Sequence, residues 1–156
     1  MAKGQNSDKG RATVVTGVIA EDVHITGIRI LEHALANAGF NVVSLGIHTS
    51  QEEFVNAAIE TKADAIFVSS LAGHARATAS GLRDKCVEAG LKNVRLYIGG
   101  MLAVDEPKWE DTEKLFKGMG FDKVYPPSIL PGKVIADLEV DLGLAANNRE
   151  SRKKNG

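Results

Sequence analysis

The chain has 156 residues, 44% of them hydrophobic and 25% charged, and a formal net charge of −1. That suits one soluble domain with one core, and the balanced charge excludes an electrostatic reader of DNA, RNA or anionic membrane. A single cysteine, Cys86, excludes a disulfide framework and implies a reducing, cytoplasmic setting, and no apolar run is long enough for a membrane span.

Residues 1–10 and 145–156 are polar and read as tails, since neither buries enough apolar surface to offset its ordering entropy. Residues 11–144 read as the domain. Its first apolar run, Ala12 to Ala20, is rich in β-branched residues and reads as a buried strand. A loop, EDVHITG, leads to a helix with Ile28, Leu31, Leu35 and Ala38 on one face and Gly39 as its stop. Asn41 to Gly46 is the second strand. Ser50 and Glu53 form a capping box ahead of a helix with Phe54, Ala57, Ala58 and Thr61 on one side.

Ala63 to Leu71 is the third strand. One helix follows, with Ala79, Leu82 and Cys86 inward and Gly90 closing it. Asn93 to Gly100 is the fourth strand. A helix over Pro107 to Lys117 is anchored by Trp109, Leu115 and Phe116. A short fifth strand lies within Asp122 to Pro127. The last helix begins near Gly132, with Val134, Ile135, Leu138 and Leu142 inward.

Strands alternating with helices predict a doubly wound, five-stranded parallel sheet, flavodoxin-like (Rossmann-like), with strand order 2-1-3-4-5. Ligands of such sheets bind beyond the carboxyl ends of the strands. The loops there match neither G-x-G-x-x-G nor G-x-x-x-x-G-K-[ST]. A phosphoacceptor receiver could use Glu21 and Asp22, yet its accepting aspartate is missing where the third strand ends in Ser69, Ser70 and Leu71. His24, His48 and His74 share this edge and make a zinc site conceivable. His33 reads as structural or exposed, and Cys86 as core.

The same edge carries Asp22-Val23-His24-Ile25-Thr26-Gly27, then Ser69-Ser70-Leu71, then Gly99-Gly100. This D-x-H-x-x-G … S-x-L … G-G set resembles the B12-binding domain family. The stretches HALANAGFNVVSLG, EEFVNAAIETKADAIFVSSL, GLRDKCVEAGL and FKGMGFDKVYPP resemble the small, cobalamin-binding subunits of glutamate (methylaspartate) mutase, over roughly residues 12–142.

The resemblance implies adenosylcobalamin as cofactor, with His24 as lower cobalt ligand and Asp22 bonded to the other ring nitrogen. It implies room for the cofactor at Gly27, Gly99 and Gly100, a base slot touched by Ser69 and Leu71, and a groove lined by Tyr125 and Pro126. Val23, Ile25, Thr26 and Ser70 complete the expected contacts, and Thr26 also suits a helix N-cap. Taken singly, each residue has a plainer reading: Asp22 and His24 as solvated loop, Ser69 as a strand end, Gly99 and Gly100 as a turn.

The implied activity is an isomerase that rearranges L-glutamate to (2S,3S)-3-methylaspartate by a radical route, complete only with a separate large barrel-fold subunit, two small plus two large chains. Val23 departs from a usual cysteine, Ala72 to Arg76 from Tyr-Gly-Gln-Gly-Glu, and Met101 from asparagine, so the resemblance leaves substrate and partner open. A corrinoid carrier of a methyltransferase system and a B12-dependent regulatory module are the alternatives; only about ten polar residues precede the first strand here, where both usually carry a helical cap.

Overall fold

The computed structural model describes residues 11–20, 26–70, 75–102, 108–127 and 129–144. Five parallel strands form one sheet: β1 (Thr13–Val18), β2 (Asn41–Ser44), β3 (Ala65–Ser69), β4 (Arg95–Gly99) and β5 (Lys123–Tyr125). Their order is β2-β1-β3-β4-β5, the doubly wound arrangement expected. Every residue of β1 and β3 is buried, because helices cover both faces of the sheet. The strands end one or two residues inside the apolar runs. Ile19, past β1, still bridges to Thr49.

Six helices pack on the sheet among the described residues: α1 (Thr26–Asn37), α2 (Gln51–Thr61), α3 (Ala75–Ala79), α4 (Leu82–Glu88), α5 (Trp109–Gly118) and α6 (Pro131–Asp141). Strand alternation sorts the core in two. Val15, Ile66, Val68, Leu96 and Ile98 face α2, α4 and α5, meeting Phe54, Leu82 and Phe116. Val14, Val18, Phe67, Tyr97 and Tyr125 face α1 and α6, meeting Ile28, Leu35, Val134 and Leu138. Full burial of each large side chain contributes about 2 kcal/mol.

The local signals act as expected at the end of α1 and the start of α2. Gly39, at φ 97°, ends α1, while the Phe40 and Gly39 N–H groups donate to the Leu35 and Ala36 carbonyls. The Ser50 hydroxyl accepts from the Glu53 N–H at 3.1 Å, and the Glu53 carboxylate accepts from the Ser50 N–H at 2.9 Å.

Two expectations need correction. The single helix after β3 is two, broken at Ser80–Gly81, where Gly81 takes φ 89°. Ala79, Leu82 and Cys86 are nonetheless all buried, as read. In α5, Phe116 is buried together with Thr112, but Trp109 and Leu115 are only partly covered, since they sit at the rim of the core. The same holds for Ile135 and Leu142 beside the buried Val134 and Leu138 of α6.

Candidate functional site: a groove at the carboxyl edge

The ends of the strands bring distant motifs into one row. Val18 pairs with Ser69, Ser69 with Gly99, and Gly99 with Tyr125. Period-two alternation turns that row toward α1 and α6. There a groove of about 180 Å³ opens between Gly27, Ile28 and Leu31 of α1, the sheet residues Phe67, Ser69, Gly99 and Gly100, and Pro126, Pro127 and Val134 on the α6 side.

Ser69 is 5% exposed and, among the described residues, is the one polar side chain lining the groove. Its backbone is held by the Ile19 N–H, which donates to the Ser69 carbonyl at 3.0 Å. Gly99 is required by packing: a Cβ there would stand 2.9 Å from Phe67 Cζ and 3.4 Å from Tyr125 Cβ. Gly100 needs its φ of 118°. Gly27 differs, since a Cβ there would meet nothing within 4 Å. Packing among the described residues therefore does not demand glycine there.

The floor is aromatic and rigid. Phe67 stacks on Tyr125 with ring centroids 6.1 Å apart, and Tyr97 meets Tyr125 edge-on at 5.9 Å. Tyr125 donates to Asp137 at 2.6 Å, and Tyr97 donates to Asp141, which ties the sheet to α6. Burial, followed by these bonds to carboxylates, pushes both phenols well above their usual range.

The groove gathers Gly27, Ser69, Gly99, Gly100 and Pro126 from the expected set. Thr26 opens α1. Tyr125 does not line the groove; it stands behind Phe67. Ser70 is not in the lining either. It is buried, and its N–H donates to the Gly99 carbonyl at 3.0 Å. Asp22, Val23, His24, Ile25 and Leu71, and with them His74, lie outside the described residues.

His33 and His48 are exposed, and no group of three or more His, Cys, Asp or Glu side chains suited to a metal exists among the described residues. Cys86 is fully buried, and burial pushes its thiol up, which suits core rather than nucleophile. Among the described residues no helix is long and apolar enough to cross a membrane. Sequence reasoning missed Phe67, two residues before Ser69 and hence on the same face, a placement the period of two could have supplied.

An open parallel sheet with an apolar groove beyond its carboxyl edge defines a ligand-binding α/β domain. The family model of the B12 binding domain matches residues 12–121. The glutamate mutase sigma subunit of Clostridium tetanomorphum is 53% identical over 134 residues, covering 86% of this chain and 98% of that protein. The chain therefore belongs to the B12-binding domain family and, within it, groups with glutamate mutase sigma subunits.

Solved structures agree on the fold. A cobalamin-binding protein from Desulfitobacterium hafniense matches with a TM-score of 0.70 at 21% identity, over 90% of this chain and 64% of that one. The methanol:cobalamin methyltransferase complex MtaBC from Methanosarcina barkeri matches with a TM-score of 0.66 at 26% identity, over 86% of this chain and 50% of that one. This chain thus spans less than two thirds of either. The groove's make-up fits a cobalamin: apolar walls for a flat base, one hydroxyl for a ring nitrogen, and glycines where bulky groups must pass.

Proposed function

We propose that this chain is the cobalamin-carrying subunit of an adenosylcobalamin-dependent carbon-skeleton mutase, and that the mutase is glutamate mutase, converting L-glutamate to (2S,3S)-3-methylaspartate. The observation that carries the reading is the identity with a glutamate mutase sigma subunit along 98% of that protein's length. The groove supports it by its chemistry.

Ser69, Phe67, Ile28, Leu31 and Val134 hold the cofactor's displaced base, with the Ser69 hydroxyl as donor to a ring nitrogen. Gly27, Gly99 and Gly100 make room for the nucleotide tail. His24 would ligate the cobalt, and Asp22 would accept from its second ring nitrogen, fixing the tautomer. Once bound, the cofactor supplies an organic radical from its cobalt–carbon bond; the protein supplies ligation, orientation and exclusion of water.

The glutamate site belongs to a separate large barrel-fold subunit, two small chains joining two large ones. The α/β domain described carries no barrel of the kind that would hold glutamate, so this domain is expected to be catalytically silent by itself. Methylaspartate formation on mixing with a glutamate mutase large subunit, and none with either chain alone, is the expected result. Turnover by this chain alone refutes the division of labour. Loss of the histidine-bound cobalt(II) paramagnetic spectrum in His24→Ala tests the ligand.

The likeness to a methyltransferase complex favours a second reading, a corrinoid carrier. The upper ligand separates the two: adenosyl for the mutase, methyl for the carrier.

A further inference from the structure

Helix α1 has a carboxyl group on its sheet-facing side. Ile28, Leu31 and Leu35 hold that face, and Glu32 joins them, only 9% exposed. The fully buried Thr16 of β1 donates its hydroxyl to Glu32 Oε2 at 2.6 Å. Among the described residues no other α1 side chain hydrogen-bonds to the sheet. Such a buried polar pair contributes little net stability compared with an apolar pair of the same volume. It does contribute direction. The contacts of Ile28, Leu31 and Leu35 tolerate a slide or roll of the helix; a short hydrogen bond tolerates neither.

The bond lies next to the groove. Thr16 is the register partner of Phe67, which lines the groove floor. Gly27, Ile28 and Leu31 of the same helix form the opposite wall. We infer that Glu32 is a positioning residue: with Thr16 it sets the rotation and height of α1, and through the helix it sets the groove width. This rests on the cobalamin reading of the groove.

The test uses the full chain and the paired variant Thr16→Val/Glu32→Leu, which leaves no orphaned partner. Two readings are taken: the denaturation midpoint without cofactor and the affinity for hydroxocobalamin. The midpoint is expected to hold or rise while the affinity falls about tenfold or more. Glu32→Gln, which keeps an acceptor for Thr16, is expected to bind as the parent does. Affinity equal to the parent's, or affinity and midpoint falling together, overturns the inference. Should the paired variant fail to fold, Thr16→Val is set against Thr16→Ser, which keeps the donor: affinity lost in the first and kept in the second supports the inference, and affinity equal to the parent's in both, or lost in both, overturns it. A parent chain that takes up no corrinoid sinks the cobalamin reading instead, and is recognised by that control.

Discussion

Ser69 and Gly99 are register partners at the carboxyl end of adjacent strands, so a polar side chain lining the groove stands beside a glycine whose missing Cβ admits the Phe67 ring. Polarity and space are set side by side on the same edge. The two can be separated by substitution.

Gly99→Ala puts a methyl group 2.9 Å from Phe67 Cζ. The ring is held by its stack on Tyr125, so it cannot retreat freely. The expected cost is about 1–3 kcal/mol in denaturant unfolding, with weaker hydroxocobalamin uptake. Ser69→Ala leaves the midpoint within about 1 kcal/mol and weakens uptake by about five- to tenfold, the worth of one neutral hydrogen bond. Equal affinity in parent and Ser69→Ala, by visible titration, removes the serine from the site.

Arg83 is the contrasting case. From α4 its guanidinium donates to the Gly120 carbonyl at 2.9 Å, the Val94 carbonyl at 3.0 Å and Asp122 at 2.8 Å, at the amino edge of the sheet. A lysine cannot span three acceptors. Arg83→Lys is expected to lose about 2 kcal/mol of stability with corrinoid affinity unchanged, since the groove is at the opposite edge. A matching loss of affinity contradicts the separation of the two edges.

The two tyrosines make stability depend on alkaline pH. Both phenols are raised in the fold, from an ordinary value of 10.0, chiefly by burial. The stabilising difference is therefore intact below pH 10 and is lost as pH rises above it, because the unfolded chain releases protons that the folded chain keeps. Each tyrosine contributes a slope of about 1.4 kcal/mol per pH unit. These are the chain's only tyrosines, so phenolate absorbance is expected to appear only with unfolding. The double variant Tyr97→Phe/Tyr125→Phe is expected to flatten the slope. Phenolate absorbance in the folded protein near pH 10 counts against this account.

Ala20 leaves β1 at φ 59°, in the left-handed region, with its N–H donating to the Thr49 carbonyl at 2.7 Å. An alanine there is strained by about 1 kcal/mol. Ala20→Gly is expected to gain up to about 1 kcal/mol, reduced by the added freedom of the unfolded chain. A lowered midpoint shows that the methyl group does more than strain the backbone.

The order of elements, the sheet's class and the motif edge are written in local patterns: β-branched runs for strands buried on both faces, three-to-four spacing for Ile28, Leu31 and Leu35, a capping box at Ser50 and Glu53, and glycine at position 39. The motifs at positions 69 and 99 were legible as residues. Their shared row was not, because register joins strands that lie about thirty residues apart and no periodicity reports it. Tertiary packing alone decided that α1 and α6 leave a groove over that row, that Phe67, backed by Tyr125, floors it, and that Glu32 turns inward to Thr16. It also decided that the chain breaks at Gly81, where positive φ interrupts a spacing that alone read as one helix. Propensity acts over one turn or one strand; a cavity exists only where several elements stop short of one another, and that is a property of the assembled fold.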